Sequence, residues 1–294
     1  MRFDSYHPGL NFLYFTMVLT ATILFQHPVF LAISFLCAYA YSIKLNRIQG
    51  ALFGIFVLAL GVAFGFWYAG YHHFGITVLR TNFIGNNMTL ESLICGLSYG
   101  ITISAVMLWF SCIHKLITRD KIVYLFGKIS PRASLFLAII LRLVPRIKEQ
   151  AGKIQRAQAC MGRGIHQGNI WERLCNCLRI CSILITWVIE SFVISSDSMR
   201  SRGNHLKGRT AFSIYRFDNR DRGVVIALFC CLTLIIMAYL LKETQVWFDP
   251  RIILRPITSV SYIFYLGYAF LCLLPLGLQI AGEIHFKKLQ RKIS

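Results

Sequence analysis

Apolar residues run along this chain in blocks of membrane-spanning length, broken by short polar stretches. The first block, residues 10–25, ends at Gln26-His27-Pro28, and a second, residues 29–42, follows at once. That pairing predicts a tight helical hairpin. Lys44 and Arg47 interrupt the pattern before a third block at 51–71, rich in Gly, Phe and Leu. A weakly charged stretch follows, with His72, His73, Arg80 and a turn-like Gly85-Asn86-Asn87, and the fourth block covers 92–113. Its exit is basic: His114, Lys115, Arg119, Asp120 and Lys121. Two more blocks, 224–241 and 257–281, are joined by a polar turn with Asp249-Pro250 and Pro256. Crossing a bilayer core takes about 20 apolar residues as a helix, and backbone in lipid must satisfy its own hydrogen bonds. The pattern therefore predicts an all-α, polytopic membrane protein with about six transmembrane helices.

The segment between the fourth and fifth blocks has a different rhythm. Residues 133–144 are apolar, but twelve are too few to cross, and Arg142 already breaks the run. From Arg146 to Arg163, apolar side chains recur at Ile147, Ala151, Ile154, Ala157 and Met161, the spacing of one helical stripe. The other face carries Arg146, Lys148, Glu149, Lys153 and Arg156. Such a helix lies on a surface. Residues 180–194 are apolar enough for a seventh span, but that span would put Arg200, Arg202, Lys207, Arg209, Arg216, Arg220 and Arg222 outside. It would also reverse the last two spans and the basic tail of Lys287, Lys288, Arg291 and Lys292. The pattern favours a long apolar helix near the cytoplasmic face. The expected organisation is 1–132 with about four spans, 133–222 as cytoplasmic coupling helices, and 223–294 with about two spans and the tail.

Charge supports this topology. There are 31 Lys plus Arg against 12 Asp plus Glu in 294 residues, a formal net charge of +19. Lys and Arg gather in cytoplasmic loops of membrane proteins, and here the basic segments fall at alternate loops, which places both termini in the cytoplasm of a multi-pass plasma-membrane protein. Only Lys242, Arg251 and Arg255 lie on the other side, accompanied by Glu243 and Asp249. The basic residues are interleaved with apolar stripes, so the lipid bilayer is the expected partner and nucleic acid is not. Cys37, Cys95, Cys230, Cys231 and Cys272 sit inside apolar runs and act as small hydrophobes. Cys175 and Cys177 diverge on a helix, and no metal, cofactor or catalytic site is expected from them. The first apolar run lacks the flanks of a cleavable signal peptide.

Two places in the basic segment are alike: Gly162-Arg163-Gly164-Ile165-His166 and Ser201-Arg202-Gly203-Asn204-His205. Each follows a helical stretch and sets an Arg before a Gly. One reading is a pair of helix C-caps, with a left-handed Gly and a cation at the negative end of the helix dipole. The other is a pair of anchors, in which a guanidinium makes forked hydrogen bonds in a partner's groove.

The stretch Leu141-Arg142-Leu143-Val144-Pro145-Arg146, with Glu149, Ile154, Ala157-Gln158 and Arg163-Gly164, resembles the first coupling region of the transmembrane T component of energy-coupling factor transporters. That family includes the cobalt-transport Q protein. Ser198-Met199-Arg200-Ser201-Arg202-Gly203, with Gly208-Arg209-Thr210 behind it, is similar to the family's second coupling motif. The resemblance extends to His7-Pro8 and to a last span ending near Leu274-Pro275, but its specific part is residues 141–210. It implies a coupling subunit of an ATP-driven importer of vitamins or transition-metal ions. Its partners would be two cytoplasmic ATP-binding subunits and a small membrane substrate-binding subunit. Arg163 and Arg202 would each contact one ATPase, flanked by Gly162, Gly164, Ser201 and Gly203, and Arg142, Pro145, Ile147, Ile154 and Met161 would support the coupling helix. The family commonly has Ala where this chain has Gly162 and Ser201, and Gly162 is expected to weaken the last helical turn by up to ~1 kcal/mol. The family's usual proline early in the second coupling helix is absent.

Two other classes stay open on residues alone. A membrane-embedded enzyme would need paired Asp or spaced His motifs, and His72-His73 are adjacent and diverge on a helix. A self-sufficient secondary transporter or channel would need ionisable groups inside the membrane, whereas Arg80, Glu91 and Glu283 fall at span ends. The chain also carries no Gly-Lys-Ser/Thr phosphate-binding loop. It is expected not to be an enzyme and to borrow ATPase activity from partners.

Overall fold

The computed structural model describes residues 3–72, 74–81, 87–203, 206, 215, 217–254 and 256–293. Two compact units emerge, Met1–Thr118 with Tyr215–Ser294, and Arg119–Ile214. The fold is all-α and polytopic.

The first unit holds α1 (Pro8–Leu24), α2 (Pro28–Asn46), α3 (Ile48–Tyr71), α4 (Leu90–Leu116) and the later α8 (Asn219–Leu240) and α9 (Ser259–Ile293). A short antiparallel pair, β1 (Val78–Thr81) and β2 (Asn87–Thr89), joins α3 to α4. The sequence pattern gave no warning of this hairpin. The second unit holds α5 (Arg119–Ile129), α6 (Pro131–Cys160) and α7 (Ile170–Ser201).

Prolines start the first hairpin. Pro8 and Pro28 open α1 and α2, where a missing N–H costs nothing, and His7 and His27 cap the next amides through Nδ1. Tyr14, Phe25, Phe30, Tyr41, Trp109 and Tyr268 are fully buried between the helices. Lipid gives no hydrophobic drive for helices to associate, so close packing and interhelical hydrogen bonds must hold them. One buried chain does so: Thr22 Oγ1 lies 2.8 Å from Ser34 Oγ and 3.1 Å from the Tyr268 hydroxyl, and Trp109 Nε1 donates to Ser34 Oγ at 3.2 Å. It ties α1, α2, α4 and α9 together.

Small residues bring α3 against α4. Gly54, Gly61 and Gly65 lie on the buried stripe of α3, and Gly96, Gly100 and Ser104 on that of α4. A Cβ on Gly100 would strike the Gly61 carbonyl oxygen, and one on Gly61 would strike Ser104 Oγ. Ser104 Oγ donates to the Val57 carbonyl at 2.9 Å, a bond that this close approach permits.

Contacts at the helix ends define two faces of this unit. His7 N–H donates to Asp221 at 3.5 Å, Lys44 pairs with Glu283 at 2.8 Å, and Asn46 Nδ2 donates to Ser111 Oγ at 3.4 Å. The start of α1, the ends of α2, α4 and α9, and the start of α8 therefore share one face. On the opposite face, the amides of Gln26 and His27 both donate to the Thr244 carbonyl at 3.1 Å. The first face carries Lys44, Arg47, His114, Lys115, Arg220, Arg222, Lys287, Lys288 and Arg291. Since α4 ends and α8 begins on that face, residues between them can cross a membrane only an even number of times.

Among the described residues, six helices are long and apolar enough to span: α2, α3, α4, α7, α8 and the Ser259–Lys288 part of α9. The number matches the sequence expectation and the membership differs. With 17 residues α1 is shorter, yet Leu10, Tyr14, Phe15, Val18 and Ala21 put it in the bundle core. The apolar run at 180–194 sits within the 32-residue α7, which by length and composition is one of the helices able to span.

In the second unit α5 packs on α6, and α6 on α7. The sequence pattern split α6 at Pro145, but the structure makes one helix of 30 residues. Pro145 removes a single helical bond, and its ring lies on the exposed side of the helix. Glu149 and Lys153 pair at 2.8 Å on its exposed face, and that bond holds the Glu149 carboxyl below its ordinary pKa. The start of α7 is a capping box, Asn169 with Glu172. Of the α7 side chains only Ile180 is buried. Trp171, Leu174, Leu178, Ile185, Ile189 and Phe192 form an exposed apolar stripe along the side opposite Ile180.

Candidate functional site

The two arginine-bearing helix ends lie in the second unit and are built differently. At the end of α6, Cys160 is the last helical residue and Met161 the cap, and Gly162 takes the left-handed conformation at φ +74°. Gly162 N–H donates to the Ala159 carbonyl at 3.1 Å and Arg163 N–H to the Gln158 carbonyl at 2.9 Å. These two bonds make the Schellman cap. Arg163 is thus the second residue past the cap, with its side chain exposed.

At the end of α7 the last helical residue is Ser201, Arg202 is itself the cap at φ −81° and ψ 7°, and Gly203 is left-handed at φ +75°. Gly203 N–H donates to the Arg200 carbonyl at 3.1 Å, and Ser201 Oγ donates to the Ser198 carbonyl at 2.9 Å. The Arg202 side chain is exposed too. Asn204 and His205, and Lys207, Gly208, Arg209 and Thr210 behind them, lie outside the described residues, as do His73, Gly85, Asn86, Arg216 and Arg255.

When the two left-handed glycines are superposed in register, Arg202 falls on Met161 and Arg163 falls on position 204. The Arg-Gly order shared by the sequences is therefore not a shared geometry. The expected weakening by Gly162 is also corrected: Gly162 lies outside the last helical turn and supplies the positive φ that ends it. In Gly162→Ala the side chain would be forced into left-handed backbone at about 1–2 kcal/mol. Gly152→Ala, within α6 and with nothing within 4 Å of the added Cβ, should stabilise by about 0.5–1 kcal/mol. Thermal denaturation of the solubilised protein should move in opposite directions for the two; a parallel shift would contradict this assignment of the cap.

The turn after Gly162 is held at several points. Gly164 is buried; its N–H donates to Gln167 Oε1 at 2.8 Å, and its carbonyl accepts from Asn176 Nδ2 at 3.4 Å. Gln167 Nε2 reaches back to the Ala159 carbonyl at 3.4 Å. Arg163 therefore projects from a fixed backbone, which lowers the ordering cost of docking. Sequence reasoning missed Gln167 and Asn176, and only the Asn169-x-x-Glu172 cap beside them was readable. The support residues divide. Arg142, Pro145 and Met161 are exposed, whereas Ile147 and Ile154 are half-buried on the covered side of α6. The α7 stripe is a continuous exposed apolar surface of this unit, and Phe136, Val144 and Met161 of α6 and its cap are exposed as well.

Gly164, next to Arg163, meets Asn176 in the second turn of α7, and Arg202 caps the far end of that helix. The helix between residues 176 and 202 is about 39 Å long. One compact binding site cannot hold both guanidinium groups. Among the described residues no group of three His, Cys, Asp or Glu side chains is placed to hold a metal ion.

No protein-family model matches the chain. The chain is similar to the energy-coupling factor transporter transmembrane protein EcfT of Exiguobacterium sibiricum, with 33% identity over 99 residues. The match covers 32% of this chain and 36% of that relative.

Proposed function

We propose that the chain is the transmembrane coupling subunit of an ATP-driven importer of the energy-coupling factor type, carrying vitamins or transition-metal ions. Two cytoplasmic ATP-binding subunits would dock at Arg163 and Arg202, and a small membrane protein would bind the substrate. The ATPase activity would belong to the partners. The observation that carries this reading is that α6 and α7 each end in a capped turn with an exposed arginine, on a unit whose two chain connections both leave the basic face of the membrane bundle. By the positive-inside rule that face is cytoplasmic, with both termini. The similarity to EcfT supports the same reading.

The separation of the two arginines suits two docking partners, one at each end of α7. A stiff helix between them would convert a change in ATPase spacing into motion of whatever rests on its apolar stripe. Trp171, Leu178, Ile185 and Ile189 would then meet the substrate-binding subunit, with Met161 at the near end. Affinity purification of the tagged chain from its native membrane should recover two nucleotide-binding subunits and one small hydrophobic protein. A chain that purifies alone and moves solute without ATP would be a secondary transporter instead.

A further inference from the structure

A groove of about 430 Å³ opens on the first unit at the basic face, lined by Asn46, Phe53, Met107, Phe110, Ser111, His114 and Lys115. Its chemistry changes with depth. Met107, Phe110, Ser111, His114 and Lys115 fall on one side of α4, at spacings of three and four residues. The apolar members lie toward the helix middle and the cationic ones at its end, about 12 Å further along the axis. Phe53 of α3 extends the apolar wall, being 37% exposed beside Phe110 at 56% and Met107 at 42%. Asn46, at the end of α2, completes the polar end: its Nδ2 donates to Ser111 Oγ, and its Oδ1 is buried with no hydrogen-bond partner among the described residues.

We infer that this groove binds one anionic phospholipid, with the phosphate on Lys115 and His114 and an acyl chain along Phe53, Met107 and Phe110. Neither Lys115 nor His114 has an ion-pair partner among the described residues. Basic pockets between transmembrane helices at the cytoplasmic interface suit anionic headgroups. Ser111 Oγ can donate to the same phosphate. This assignment is independent of the proposed transport role.

Full-length protein in detergent can be titrated with phosphatidylglycerol, with phosphatidylcholine of the same acyl chains, and with inorganic phosphate, and the bound species counted by native mass spectrometry. Phosphatidylglycerol should be retained over phosphatidylcholine, and Lys115→Ala should lower its retention roughly fivefold, as expected for one Lys near an anionic headgroup. Lys287→Ala, on the same face and outside the groove, should leave retention unchanged. Equal retention of the two diacyl lipids, equal losses in the two Lys variants, or displacement of the lipid by inorganic phosphate would each overturn the proposal.

Discussion

Arg163→Ala combined with Arg202→Ala should release both ATP-binding subunits from the detergent-solubilised complex while leaving the membrane subunit folded. Both side chains are exposed, and neither makes an ion pair among the described residues, so their removal touches no packing. Arginine at the centre of an interface is a frequent hot spot, costing about 2 kcal/mol or more on truncation, roughly 30-fold in affinity. Because the two ends meet α7 about 39 Å apart, the single variants should act independently and their effects should add. Each should weaken one docking event. Arg→Lys should rescue little, because an ammonium cannot reproduce the forked geometry. Full retention of both ATPases by the double variant would remove the assigned roles, and complete release by either single variant would contradict independent docking.

Gly100→Leu should prevent the membrane unit from assembling. The first added atom already meets the Gly61 carbonyl, which is backbone and cannot rotate away. A leucine would force α3 and α4 apart, break the 2.9 Å bond from Ser104 to the Val57 carbonyl, and uncover the buried faces of both helices. Overpacking costs typically about 1–3 kcal/mol even where neighbours can relax, and here the neighbours are backbone. Gly277→Leu in α9 is the matched control, since nothing lies within 4 Å of its Cβ position. Size-exclusion chromatography should show aggregate for Gly100→Leu and a single species for Gly277→Leu. Equal behaviour of the two would mean that α3 and α4 are not in contact through these glycines.

The apolar blocks of the first unit were legible because lipid imposes one rule on every span: a helix, long enough, with its polar residues at the ends. Hence Pro28, Lys44 and the 241–258 connection fell at element ends from pattern alone. Where the rule relaxes, so did the reading. The β1–β2 hairpin is only seven residues of strand, too short to show alternation. The stretches on either side of Pro145 read as separate, yet α6 runs through it as one helix.

The two helix ends show the limit most clearly. A motif compares residues by order, whereas a cap is fixed by which residue can take positive φ. The cap reading set the left-handed glycine after the arginine, at Gly164, with Gly162 in the last helical turn, and the hydrogen bonds to Gln158 and Ala159 chose Gly162. The hold on Gly164 by Gln167 and Asn176 depends on a folded turn and left no mark on composition. Charge, by contrast, carried real information about topology. Basic residues were expected at alternate loops, and the contacts His7–Asp221 and Lys44–Glu283 put those loops together on one face.

Thiol labelling in oriented vesicles tests the central claim most directly. Cys160 is exposed at the end of α6, and Ser201→Cys reports the end of α7, with exposed Cys175, Cys177, Cys181 and Cys230 replaced by Ser. A membrane-impermeant maleimide should label both positions in inverted vesicles and neither in right-side-out vesicles. Labelling of Cys160 from the outside would mean that α6 and α7 cross the membrane as a pair, and the arginine at position 163 would then be out of reach of any ATPase.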